Sequence, residues 1–321
     1  MPSRFVGAMG TEVGAHRIIG TCLAVKEGEK VVVVTDAQTR AVGDALFGAA
    51  LGAGAQVVLA VIPAAERPGE EPPEPLARMM ADCDAVILAT GQSMTHTAAR
   101  RAANRAGARV ASLPGVTEAM LEAGALTADY VEIQKSMRKL ERRVRNAKTV
   151  RLTSELGADV TFDVTRREWI TVDTGVCHRR SETTTLPAGE IFVAPVEGSA
   201  DGRLVIDAWF HERTPEPVIV VVKEGYASKV TGAASAVHEM NRGGRDGRTF
   251  GTVGLGLNPN ARVTGTLLEG EKALGAVHIG FGDNAAYGGN VRCSVRVDAL
   301  FTKATVEIDG KAILERGALS V

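Results

Sequence analysis

Hydrophobic and polar positions in the first half of the chain alternate between two kinds of segment. Lys30-Val31-Val32-Val33-Val34-Thr35-Asp36 is a nearly continuous β-branched run, the pattern of a strand buried on both faces. Residues 41–53 follow with apolar side chains at helical spacing, and residues 56–62 read as a second buried strand. The Pro- and Glu-rich stretch 64–75 reads as an exposed loop before a short helix over 76–81. Residues 85–90 predict a third strand, 97–106 a helix closed by Gly107, and 109–113 a fourth strand stopped by Pro114-Gly115. Such alternation predicts a mostly parallel sheet covered by helices.

Residues 117–147 read as helical, with a strongly basic C-terminal part: Lys135, Arg138, Lys139, Arg142, Arg143 and Arg145. A solvated helix between two domains accounts for these charges, and an anion-binding patch is the alternative. After Lys148 the period changes to two. Residues 150–153, 159–164, 191–196, 203–208, 218–223 and 306–309 read as strands punctuated by Gly and Pro, mainly antiparallel. The expected organisation is therefore an α/β, Rossmann-like domain over 1–147 and a β-rich, α+β domain over 148–321.

Composition narrows the class. The chain has 321 residues, enough for two cores, with 45% hydrophobic and 23% charged residues, as expected of a folded globular protein. A net charge of −1 argues against a nucleic-acid partner. Cys22, Cys83, Cys177 and Cys293 lack the CxxC spacing of a zinc site. No run of about 20 apolar residues suggests a membrane span, and no signal-peptide pattern opens the sequence, so a cytoplasmic location is expected.

No glycine-rich phosphate loop follows the first strand, where Thr35-Asp36-Ala37-Gln38 stands instead, and neither a Gly-x-Ser-x-Gly elbow nor a His-Glu-x-x-His motif occurs. Chemistry-bearing residues are densest between Gly251 and Asp298, where glycines are interleaved with Glu269, Glu271, His278, Asp283 and Asp298. Glycine lets a backbone approach a ligand closely, which makes this segment the candidate site.

Four stretches of the second half, SELGADVTF, LPAGEIFVAPVEGSADGRLVID, VHIGFGDNAAYGG and DGKAILERG, together with SMTHTAARRAANRAGARVASLPGVTEAML in the first, resemble the aminopeptidase T family of metallopeptidases. The same superfamily includes the iron-dependent 2,5-dihydroxypyridine dioxygenases. The resemblance implies an N-terminal α/β domain, a β-rich C-terminal domain and a homodimer. It matches Glu190, His278 and Asp298 to metal ligands, and Tyr287 to a tyrosine near the scissile carbonyl of the peptidases. Zinc, cobalt or manganese would be the metal, and a peptide or small amide the substrate, with Glu269 or Glu271 as general base. Two positions depart from the pattern. Arg296 replaces the histidine of a His-x-Asp pair, and Thr252 stands where the peptidases carry a glutamate and the dioxygenases a histidine. An arginine cannot ligate a cation. Three expectations follow: a metal-assisted aminopeptidase-like hydrolase; a metal-free enzyme using Arg296 and His278 on an anionic small molecule; or a non-catalytic ligand-binding relative.

Overall fold

A computed structural model of the chain describes residues 10–263 and 265–320. The chain forms two compact units, one of residues 1–134 and 173–188, the other of residues 135–172 and 189–321.

In the first unit β1 (Lys30–Thr35), β2 (Gln56–Val61), β3 (Ala85–Ala89) and β4 (Arg109–Ser112) lie parallel in the order β2-β1-β3-β4. A much later strand, Thr183–Thr185, joins the free side of β4, also parallel. Helices Arg40–Gly52, Glu74–Ala81 and Ala98–Ala106 make the crossovers. The last of these begins at Thr97, whose hydroxyl accepts the Arg100 N–H at 3.2 Å, and ends at Gly107 with φ 111°. That left-handed conformation costs glycine nothing.

Two expectations need correction here. The strand at 56–62 is not buried on both faces. It pairs only with β1, at the sheet edge, and leaves Val58 47% and Val61 46% exposed. An apolar run of that length looks the same whether its strand is central or marginal. Nor is the stretch 117–147 one helix. It divides into Glu118–Glu122, Ala125–Thr127 and Tyr130–Val144, with the break falling at Gly124. Asp129 restarts the helix by accepting the N–H groups of Val131 and Glu132 at 3.0 and 3.3 Å. On Tyr130–Val144 the apolar Ile133, Met137, Leu140 and Val144 are buried, and Arg138, Lys139, Arg142 and Arg143 are exposed, as in the solvated-helix reading.

The second unit is built from two antiparallel sheets. Its strands are β5 (Thr149–Thr153), β6 (Asp159–Asp163), β8 (Glu190–Val193), β9 (Asp201–Ile206), β10 (Trp209–Phe210), β11 (Glu212–Arg213), β12 (Val218–Lys223), β13 (Tyr226–Thr231), β14 (Phe250–Gly256), β15 (Val277–Gly282), β16 (Arg296–Phe301), β17 (Thr305–Ile308), β18 (Lys311–Glu315) and β19 (Ala318–Leu319). Thr183–Thr185 of the first unit is β7 in this numbering. One sheet runs β13-β12-β9-β6-β5-β17-β18-β19 and the other β11-β10-β16-β15-β14-β8. Phe162 of the first sheet meets Phe250 of the second with ring centres 5.3 Å apart, and Phe281 and Phe210 continue the aromatic core. The fold is an α/β unit with a mainly parallel sheet plus a β-rich unit. Among the described residues no helix is long and apolar enough to cross a membrane.

Candidate functional site

Strand register decides which side chains of the second unit meet. Across β8, β14, β15 and β16, Phe192 lies beside Gly254, Gly254 beside His278, and His278 beside Leu300. One row on, Thr252, Gly280 and Asp298 are neighbours, and Gly282 pairs with Arg296. Residues two apart on a strand share a face. The face opposite the Phe281 core therefore carries His278, Thr252, Asp298 and Arg296 over a floor of Gly254, Gly280 and Gly282. A Cβ on Gly254 would stand 1.8 Å from His278 Nε2, and a Cβ on Gly280 would stand 2.5 Å from both Arg296 Nη2 and Thr252 Oγ1. The glycines leave the volume in which the imidazole and the guanidinium lie.

A short helix, Leu267–Lys272, brings further charges to this face. Thr266 caps it, its hydroxyl accepting the Glu269 N–H at 3.2 Å. Its end packs on Gly256, where a Cβ would meet Ala273 O at 2.1 Å. Lys272, only 4% exposed, reaches Glu190 Oε1 at 2.6 Å and Glu271 Oε2 at 3.3 Å. His278 Nε2 stands 2.8 Å from Glu190 Oε2, an ion-pair distance without hydrogen-bond alignment. Arg296 Nη2 lies 2.9 Å from Asp298 Oδ1 and donates to Thr252 Oγ1 at 3.0 Å. Tyr287 covers that end, its ring 4.5 Å from the Arg296 guanidinium carbon and edge-on to Phe192.

The electrostatics follow from burial and sign. Burial alone would raise the Glu190 pKa, but Lys272 and His278 outweigh it and hold the carboxyl below its ordinary range. Burial opposes a charged His278, yet Glu190 and then Glu271 raise its pKa, so the imidazolium is favoured. Burial raises Glu271 and Tyr287 as well. For Arg296, Asp298 overcomes burial and raises the pKa further.

Of the residues expected from sequence, Glu190, Glu271, His278, Tyr287, Arg296 and Asp298 are gathered on this one face. Glu269 lies to one side, buried in the first turn of its helix with its carboxylate against Gly265. Sequence reasoning missed Lys272, which after Glu-Gly-Glu reads as a solvated lysine. It also missed Glu197. The Glu197 carboxylate accepts the Asn290 N–H at 2.7 Å and the side-chain amides of Asn284 and Asn290, each at 3.2 Å, and pairs with Arg167. The clamp fixes the loop bearing Tyr287. Burial opposes the charge, but the Asn290 and Asn284 hydrogen bonds bring the Glu197 pKa down to about 2 from 4.5. A depressed carboxyl pKa gives stability that is full above pH 4.5 and lost as pH falls through about 2. Glu197→Gln is expected to lower stability at pH 7 by about 1–2 kcal/mol. The gap from wild type should close on acidification, and denaturant titrations at several pH values measure it. A constant gap would contradict the assignment.

The resemblance noted above is to metal-dependent enzymes, which makes the donor set a question of fit. Glu190 Oε2, both His278 nitrogens and Asp298 Oδ1 are buried without hydrogen-bond partners, as ligand atoms would be. The surrounding chemistry does not match. A two-histidine, one-carboxylate iron site needs two imidazoles, and here Thr252 and Arg296 stand in contact where the histidines would be. Both Glu190 and Asp298 already face a side-chain cation. Among the described residues, no group of three or more His, Cys, Asp and Glu side chains is arranged to hold a metal ion. The expected centre of Glu190, His278 and Asp298 is therefore not formed as a ligand set, because Lys272 and Arg296 stand among the carboxylates.

Among solved structures, the chain is similar to 2,5-dihydroxypyridine dioxygenase from Pseudomonas putida KT2440, with TM-score 0.76 and 18% identity over 98% of each chain. It is also similar to wild-type AmpT from Thermus thermophilus, with TM-score 0.66 and 16% identity over 97% of this chain and 99% of that one. At such identities the likeness is one of fold. No curated protein sequence matches. The family model for 2,5-dihydroxypyridine 5,6-dioxygenase, NicX, matches residues 16–321. This overturns the expectation of an aminopeptidase-like hydrolase: the aminopeptidase shares the fold, while the match that spans the sequence is to an oxygenase. A metal is in keeping with that family, but zinc, cobalt and manganese gain no support from it. With the family model covering almost the whole sequence, the chain belongs to the NicX family of 2,5-dihydroxypyridine 5,6-dioxygenases.

Proposed function

We propose that the chain is an oxygenase acting on a small hydroxylated N-heteroaromatic ring, bound over the glycine floor of the second unit. The family match supports a substrate of this class. The observation that carries the reading is the buried imidazole–carboxylate contact of His278 and Glu190, on the sheet face that also carries the Arg296 guanidinium. Arg296, with its side chain 24% exposed, stands at the open end, and His278, at 5%, lies deeper. A ring oxygen between them meets two donors with raised pKa values. Both favour the deprotonated oxyanion over the neutral hydroxyl. An electron-rich oxyanion is the form of such a ring that reacts most readily with dioxygen. Phe192 and Tyr287 supply aromatic edges for a planar ligand. Glu190 orients His278, and Lys272 neutralises Glu190 and Glu271. No step is assigned to a metal, since the donor set does not fit one.

An oxygen electrode tests the proposal. With 2,5-dihydroxypyridine and a panel of mono- and dihydroxypyridines, wild-type protein is expected to consume dioxygen while the ring absorbance is lost. His278→Ala should slow this by about 100-fold or more. No uptake with any ring, with or without added ferrous iron, would overturn the reading.

A further inference from the structure

We infer that this site carries its own cations: Lys272 between two carboxylates and Arg296 beside a third stand where a divalent metal would otherwise be held, and the wild-type site does not retain such an ion. The inference rests on the proposed placement of the site on this face. Three carboxylates, Glu190, Glu271 and Asp298, converge there with small exposures. Like charges so close raise one another's pKa and destabilise the fold unless a cation stands among them. Lys272 lies between Glu190 Oε1 and Glu271 Oε2, at 2.6 and 3.3 Å. Arg296 lies between Asp298 Oδ1 and Thr252 Oγ1, at 2.9 and 3.0 Å. The two fixed cations offset two of the three carboxylate charges. A dication added to that cluster would meet two fixed cations within a few ångströms, a repulsion that partly buried surroundings screen weakly. The backbone is adapted to this arrangement. Gly280 leaves the space that the guanidinium fills, and the Tyr287 ring packs over it at 4.5 Å.

Equilibrium dialysis of the full chain against ferrous iron under anaerobic conditions, and against manganese(II), followed by elemental analysis, tests this. Wild type is expected to retain no stoichiometric ion. The double variant T252H/R296H replaces hydroxyl and guanidinium by imidazoles beside Asp298, and should gain affinity by at least about 10-fold. If that variant fails to fold, as judged by its thermal melt, Arg296→Gln removes the charge alone and should also increase retention. One ion per wild-type chain, lost in Asp298→Ala, would overturn the inference. The outcomes are separable from those for the proposed function. Oxygen uptake that requires iron held at this site sinks the inference and spares the oxygenase reading. A metal-free wild type with no uptake does the reverse.

Discussion

Lys272→Met is expected to destabilise the second unit by about 3–5 kcal/mol. Methionine matches the length of the lysine stem, so the packing of the Leu267–Lys272 helix on Gly256 is kept. What is lost is charge. Glu190 and Glu271, whose side chains are 13% and 14% exposed, would face each other without their shared ammonium. Glu190 would keep His278 as a partner, but Glu271, already raised by burial, would be driven toward its neutral form. Denaturant titration at neutral pH measures the loss. The double variant Lys272→Met/Glu271→Gln should recover part of it, because the second change removes the unpaired charge. A Lys272→Met protein as stable as wild type would show that water, not the ammonium, compensates these carboxylates.

Gly254→Ala is expected to reduce oxygen uptake by about 100-fold, comparable to removing the imidazole itself. Gly254 does not need a left-handed backbone, so the effect is one of space alone. The added methyl carbon would stand 1.8 Å from His278 Nε2 and 2.3 Å from Cε1. A rigid ring in a buried row between Gly254 and Leu300 has to swing away from Glu190 to make room. The stability cost should stay at about 1–3 kcal/mol, as for other overpacked cores, so activity falls much further than the melting temperature. Gly280→Ala offers a comparison: it would press on Arg296, whose longer side chain yields more easily than an imidazole. Steady-state rates and melts of the two variants together check the argument. Full activity in Gly254→Ala would place the working group elsewhere.

Much of this architecture was legible in the order of residues. The β-branched valine run at 31–34 reads as a strand, and the change of period after Lys148 marks the β-rich half. His278 stood out in the glycine-rich segment, and Glu190 through the resemblance carried by LPAGEIF. The pairing of Arg296 with Asp298 is also local, two residues apart on one strand. What stayed hidden depends on distance along the chain. Lys272 finds Glu190 across 82 residues, and Glu197 finds Asn284 across 87. Nothing in EGEK or PVEG signals burial, since the covering groups come from other strands. The edge position of β2 escaped for the same reason: an unpaired side is a property of the sheet, not of the strand. The aminopeptidase expectation failed differently, because shared motifs of fold outlive a change of chemistry.

The return of β7 to the first unit has a consequence for how the chain is made. The polypeptide passes between units three times, after residues 134, 172 and 188. No single cut yields the first unit whole, and a fragment ending near residue 134 would present β4 with an open edge. During synthesis that edge waits about 70 residues for Thr183–Thr185 to pair with Val110–Ser112. The parallel sheet is therefore finished only after β5 and β6 of the other unit have emerged. Non-local closure of this kind slows folding, and it ties the order of assembly of the two units together through one short strand.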